Sequence, residues 1–307
     1  MLFYYKTFDG EMKRLEQAEP GCWISCIAPE DEEIAGLIEQ FDIEPDFFRA
    51  ALDEEESSHV DSEENSTLII VDLPVVENTG KSLVYSTKPL GVIITEKNVI
   101  TICSEENSVL VEFSEGLVKG VQTNLKTRFV LYLMLRIAAK YLQYLKQIYR
   151  ISDQVELELR RSMRNTELLQ FMDIQKSLVY FSSSLKGNEL TMEKIMRGRV
   201  IKLYEEDQDL LGDVLIEVKQ AIDMSITQLN ILSNSMDAFA SMISNNLNMV
   251  MKVLASLTLI VSIPTVISGL YGMNVEGLPY PYFWVTIVIM AVCMFLAYLI
   301  LKKKDML

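Results

Sequence analysis

Apolar positions follow two rhythms along this chain. Up to about residue 120 they form short β-rich runs, Leu2–Phe8, Trp23–Ile27, Thr67–Val76, Ser82–Thr95 and Asn98–Cys103, separated by turn chemistry such as Asp9-Gly10 and Glu96-Lys97-Asn98. Pro29 predicts the opening of a helix through Glu32–Phe41, and Pro45 that of a second through Phe47–Leu52, because proline's missing N–H costs nothing in a first helical turn. Strands mixed with helices predict an α+β or α/β domain over residues 1–120, within a chain whose overall class is an α+β membrane protein.

From about Leu125 the rhythm lengthens to helical spacing with almost no breakers. One helix is expected to about Met163, a second from Glu167 to about Leu185, and a third from about Gln208, with no proline between Pro89 and Pro264. In the third, Leu215, Ile222, Leu229, Met236, Ile243 and Val250 recur every seven residues, and nothing interrupts the helix before Tyr271. About 65 helical residues would span roughly 100 Å at 1.5 Å each. Residues 121–250 are therefore read as a helical stalk.

Two apolar segments, 251–270 and 283–301, then come near the ~20 residues a bilayer requires. A loop with Gly277 and Pro279 joins them, and Tyr271, Tyr280, Tyr282 and Trp284 cluster at one interface. They are read as a transmembrane hairpin whose first helix continues the stalk, with a basic tail at 302–307. Lys252 and Lys302–Lys304 put both ends in the cytoplasm and residues 271–282 outside the inner or plasma membrane. The N-terminus lacks a signal peptide's basic start and long apolar core, which agrees with a cytosolic first domain.

Composition sharpens this division. Of 307 residues half are apolar, yet the formal net charge is −15. Nearly all 43 acids precede residue 245, and from Met251 to Leu301 the only charges are Lys252 and Glu276. The acidic balance argues against nucleic acid as a partner, since that affinity comes from Lys and Arg neutralising phosphates. Cations and membrane lipid are the partners expected. A single histidine, His59, read as a surface-loop residue, leaves no multi-histidine metal centre or triad chemistry, and no Walker motif marks a nucleotide site. Cys22, Cys26, Cys103 and Cys293 match no common metal spacing and are read as reduced and structural. The chain is expected to be no enzyme and to need no organic cofactor.

Three- and four-residue steps along the third helix trace one polar face. It runs Asp213, Glu217, Gln220, Asp223, Thr227, Asn230, Asn234, Asp237, Ser241, Ser244 and Asn248, and continues inside the apolar segment as Met251, Ala255, Thr258, Ser262, Thr265, Gly269 and Gly272. A solvent-facing helix needs only the first part. Within a membrane, hydroxyls turned to lipid gain nothing, whereas they pack helices or line water. The face carries no Lys or Arg, which favours a cation path. A two-span hairpin cannot enclose one alone, so the stripe implies a homo-oligomer.

Tyr271-Gly272-Met273-Asn274 stands at the outer end of that face. With the proline-containing span before it, the short loop, the second span and the C-terminal Lys cluster, it resembles the CorA family of magnesium channels, most specifically from Asn248 to Asn274. The resemblance implies a homopentamer with an α/β cytosolic domain, stalk helices forming a funnel, and first spans lining the pore. It implies a selectivity mouth at Tyr271, Gly272, Met273 and Asn274, a cytoplasmic constriction at Asn248, Met251 and Leu254, and an acidic ring at Asp237. Thr265 and Gly269 then lie farther out, beyond the Ala255, Thr258 and Ser262 of the stripe. The family also shares a regulatory metal between a stalk aspartate, matching Asp213, and an aspartate after the proline-initiated helix. Here Ala50 stands in that place, with Asp53 or Glu54 as the available substitutes.

The function so implied is passive, voltage-driven Mg²⁺ uptake, extending to Co²⁺ and Ni²⁺ and gated by internal Mg²⁺. Mg²⁺ sheds its water reluctantly, so an asparagine ring that accepts hydrogen bonds from hydration water suits it. The alternatives are a zinc or other transition-metal carrier of the same fold, and a membrane-anchored sensor or scaffold. A mere anchor needs no polar face.

Overall fold

The computed structural model describes residues 1–78, 83–162, 165–197, 201, 203–273, 282–304 and 306. The chain divides into two compact units, 1–233 and 234–307.

The first unit is built on a seven-stranded sheet. In chain order the strands are β1 (Leu2–Phe8), β2 (Glu11–Leu15), β3 (Trp23–Ile27), β4 (His59–Ser62), β5 (Ser66–Asn78), β6 (Leu83–Thr95) and β7 (Val99–Cys103). They lie in the order β2-β1-β3-β7-β6-β5-β4. Among the described residues only β3 and β7 pair in parallel, Trp23 opposite Val99 through Ile27 opposite Cys103. Every residue of these two strands is buried, as expected of a central parallel pair covered on both faces. The edge strands β2 and β4 escape the apolar rhythm because each pairs on one side only and buries little. His59 consequently belongs to the edge strand β4, opposite Ile70, rather than to a loop.

One face of the sheet is covered by α1 (Asp31–Phe41) and α2 (Pro45–Leu52). Ile24, Cys26, Ile100, Ile102, Ile70 and Ile93 from the strands meet Leu37, Phe47, Phe48 and Ala51 there. The approach is close at Gly91: a Cβ there would stand 2.3 Å from the Ala51 Cβ. Pro45 opens α2 as expected. Pro29 does not open α1; it lies one residue before the cap Glu30, whose N–H donates to the Glu33 carboxylate at 3.0 Å. The opposite face meets α3 (Ser108–Ser114), α4 (Lys126–Ser162) and α5 (Asn165–Met196). Trp23, Phe113 and Phe129 pack edge-on and tilted, and the Trp23 Nε1–H donates to Thr101 Oγ1 at 2.9 Å. Burial pushes the Cys26 and Cys103 thiols up to about 12, so both are protonated packing groups.

Ser82 and Met163, where the sequence places a strand start and a helix end, lie outside the described residues. α5 extends past the expected Leu185 because Gly187 does not break it: a Cβ there would come within 3.2 Å of the Ser58 hydroxyl oxygen, so the glycine admits the β4 approach.

The third long helix, α6, runs Glu205–Tyr271. Its first turn holds Glu205, Glu206 and Asp207, favourable at the positive end of a helix dipole, and Asp207 accepts from the Tyr204 N–H at 3.2 Å. Within the first unit Leu211, Val214, Val218, Ala221, Ser225, Gln228 and Leu232 form its buried seam. In the second unit α6 is followed by α7 (Phe283–Lys303). Both helices carry a stretch long and apolar enough to cross a membrane.

Candidate functional site

Within the second unit α6 and α7 show their least exposed residues at regular spacing. From residue 251 on these are Ser256, Ile260, Ile263, Pro264, Ile267 and Tyr271 on α6, and Val285, Thr286, Ile289, Met290, Cys293, Met294, Ala297 and Leu301 on α7. The Ser256 hydroxyl donates to the Met306 carbonyl at 2.9 Å, tying the end of the chain to the first span.

Met251, Ala255, Thr258, Ser262, Thr265, Gly269 and Gly272 are all exposed. At 3.6 residues per turn they fall on the side of α6 opposite its less exposed face. Asn234, Asp237, Ser241, Ser244 and Asn248 are exposed in the same unit, as is Leu254. The polar stripe is thus not consumed by packing within one hairpin.

The hydroxyls on that face have a defined polarity. Thr258 donates to the Leu254 carbonyl at 2.8 Å and Ser262 to the Thr258 carbonyl at 2.7 Å; Thr265 turns to the Val261 carbonyl at 3.5 Å. Each spends its proton on its own helix, so what remains toward the exposed side is oxygen lone pairs. Such a surface accepts hydrogen bonds from the outward-pointing hydrogens of a hydrated cation. At the end of α6 the Gly272 N–H donates to the Ser268 carbonyl at 2.9 Å, and no basic residue stands in the last turn. The negative end of the helix dipole is therefore left uncompensated beside Gly272 and Met273. Asn274 and the loop through Tyr280 lie outside the described residues.

The residues expected to hold a regulatory metal sit apart from any ready-made cage. Asp213 is exposed on α6, Asp53 caps α2, and Glu54 pairs with Lys88 at 3.3 Å, which also reaches Glu105 at 3.2 Å. Among the described residues no three His, Cys, Asp or Glu side chains converge on one point. Ala50 packs partly buried against the core and offers no ligand atom.

Two features escaped the sequence reading. One is a cavity of about 450 Å³ that joins Glu54, Glu56, Glu77 and Lys88 to Asp72 of β5. Burial pushes the Asp72 carboxyl above its ordinary value, against the opposing pull of the Ser184 and Ser58 hydroxyls. The other is Gln228, a polar side chain in the apolar seam of α6. Its signal was present: stepping Val218, Ala221, Ser225, Gln228 and Leu232 puts two polar residues on the buried side.

Comparison with known proteins bears on the whole chain. A model of the CorA-like Mg²⁺ transporter protein family matches residues 19–303. The cobalt/magnesium transport protein CorA of Methanocaldococcus jannaschii is 28% identical, over 92% of this chain and 90% of its own. The magnesium transport protein CorA of Campylobacter jejuni is 25% identical over 99% of each chain. The complete structure of the CorA magnesium transporter from Methanocaldococcus jannaschii superposes with a TM-score of 0.85 at 25% identity, covering 98% of this chain and 96% of that one.

Proposed function

The chain belongs to the CorA family of Mg²⁺ transporter proteins, and from that premise we propose that it conducts hydrated Mg²⁺ passively through a path lined by the polar face of α6. Members of this family are transporters rather than enzymes, and the two apolar helices fit a two-span membrane protein. The observation that carries the reading is the exposed, base-free stripe Thr258, Ser262, Thr265 and Gly269, whose hydroxyl protons are committed to the helix.

One hairpin encloses nothing, so several copies, five in the reading implied by the family, would each contribute α6 to the wall. Asn274 with Tyr271, Gly272 and Met273 forms the outer mouth, where amide oxygens receive the ion's water and the α6 dipole adds a favourable field. Met251 and Leu254 form the apolar constriction, with Asn248 and the Asp237 ring on the cytoplasmic side. The ends of the chain face the cytoplasm, as the lysines flanking the spans favour. The inside-negative potential drives entry, at about 2.3 kcal/mol per charge per 100 mV for an ion of two charges. Internal Mg²⁺ bound between copies by Asp213 and by Asp53 or Glu54 favours the closed state, because carboxylates brought together repel until a cation bridges them.

The test is ion flux into proteoliposomes under an imposed voltage, comparing Mg²⁺, Co²⁺, Ni²⁺ and Zn²⁺. Mg²⁺ flux that scales with voltage and needs no nucleotide is expected. Voltage-independent flux, or flux of Zn²⁺ alone, overturns the reading.

A further inference from the structure

The seam between α4 and α6 holds a side chain with half of its hydrogen bonding unmet. Gln228 is only 5% exposed. Its Nε2 donates to the Leu145 carbonyl at 3.2 Å, which fixes the amide orientation, but its Oε1 is buried with no hydrogen-bond partner. A buried acceptor left unpaired is costly and marks a place for a further group.

That group has room. A cavity of about 90 Å³ lies against Gln228, lined by Tyr149, Ser152, Asp153 and Glu156 of α4 and by Ile231 and Leu232 of α6. The spacing makes this one face of each helix: residues 149, 152, 153 and 156 stand at successive turns of α4, and residues 228, 231 and 232 face them. The polar residues among these carry a phenol, a hydroxyl, two carboxylates and an amide. The one amide nitrogen is already spent on Leu145. An all-oxygen set with two carboxylates suits a hard cation. The volume holds about three waters at ~30 Å³ each, enough for an ion that keeps part of its hydration. Mg²⁺ is characteristically held this way, through one or two carboxylates and retained water.

Arg160 is the internal competitor. Its Nη2 donates to Glu156 Oε1 at 2.7 Å, leaving Glu156 Oε2 for the ion. Asp153 is exposed at the rim and gives a way in from solvent. With two carboxylates rather than three, the site binds weakly and fills only when the cation is plentiful.

We propose that this cavity takes a divalent hard cation of the Mg²⁺ class, partly hydrated, bridging Asp153 and Glu156 of α4 to Gln228 of α6 within one chain. The site is separate from Asp213 and from the polar stripe, and it stands whether or not those readings do. Bound there, the cation ties α4, which packs on the sheet, to the helix that carries the stripe.

Tb³⁺ replaces hard oxygen-bound cations and emits when a nearby phenol is excited, here Tyr149. Full-length protein in detergent is titrated with Tb³⁺ under tyrosine excitation and then back-titrated with Mg²⁺. A component of the emission should vanish in Tyr149→Phe, be displaced by Mg²⁺, and lose at least tenfold in affinity in Asp153→Asn, an exposed change that leaves the packing alone. Mg²⁺ should also raise the melting temperature of wild type more than that of Asp153→Asn. If water alone fills the cavity, Asp153→Asn binds Tb³⁺ and responds to Mg²⁺ like wild type, and the proposal falls. Unchanged emission in Tyr149→Phe also overturns it. Vesicle flux reports on transport separately, so a chain that conducts Mg²⁺ with an inert cavity overturns this site and leaves the channel reading standing.

Discussion

The two parts of α6 share one rhythm and differ in what that rhythm buries. Between Leu211 and Leu232 the three- and four-residue steps close a seam against α4 and α5, where Ser225 donates to the Leu178 carbonyl at 3.1 Å and Gln175 to Ser233 at 3.2 Å. Between Asn234 and Met273 most side chains away from the Ser256–Tyr271 face are exposed in the single chain, including Leu254, Leu257, Leu259, Val261 and Val266. The first part is stabilised by the chain's own core. The second has apolar surface far beyond what a soluble monomer leaves uncovered, which agrees with the proposed cover by lipid and further copies. Periodicity identifies a helix in both cases, and only the composition of the exposed face says what lies against it.

Changes in the second part should therefore spare folding and alter flux. Asn274→Ala deletes the amide of the proposed mouth, and Mg²⁺ uptake by proteoliposomes should fall to the level of empty vesicles while the protein still assembles. Wild-type uptake would detach Asn274 from the mechanism. Leu254→Asp should wet the proposed apolar constriction and give continuous leak even at high internal Mg²⁺; a variant that still closes would move the constriction elsewhere.

Changes in the first part should do the reverse. Gly91→Ala forces a methyl into the 2.3 Å approach to Ala51, and neither neighbour is a flexible side chain. A loss of ~1–3 kcal/mol is expected from such overpacking, read as a lower melting temperature of the first unit and partly restored by adding Ala51→Gly. No restoration would mean that α2 approaches the sheet by some other contact.

The smallest effect expected is at Asp72. Its carboxyl titrates above the unfolded value because burial disfavours the charge, with the Ser184 and Ser58 hydroxyls pulling the other way. Its contribution to stability is therefore full below the ordinary value of 3.8 and is lost as pH rises through the higher folded value. Asp72→Asn keeps an acceptor oxygen and removes the charge. Its melting temperature should exceed wild type at pH 7.5 and converge on it near pH 4; a difference independent of pH would rule out the buried charge as the cause.

How much of this was legible in the residues follows from burial. The central strands, α2 and the long helices carry enough buried apolar residues to declare themselves. The edge strands β2 and β4 do not, since each is half-paired and mostly exposed, and for that reason the residues around His59 carry no strand signal. Glu30 rather than Pro29 marks the start of α1, as the cap whose N–H is held by the Glu33 carboxylate three residues on. The stripe was legible because lysine and arginine are missing from it. The Asp72 cavity was not, because it joins β5 and α5 to the loop after α2, residues far apart in sequence that share no periodicity.

The claim that the α6 stripe lines a water-filled path is tested most directly by cysteine accessibility in assembled, membrane-embedded protein. In a Cys293→Ser background the remaining cysteines, Cys22, Cys26 and Cys103, are buried in the first unit. Cysteines introduced singly at Thr258, Ser262 and Thr265 are then compared with cysteines at Leu257, Val261 and Val266 during Mg²⁺ flux. Water-soluble, positively charged thiol reagents should react at the first three positions and block flux, and leave the second three untouched. Equal reaction in both sets, or reaction at Leu257, Val261 and Val266 alone, would contradict it.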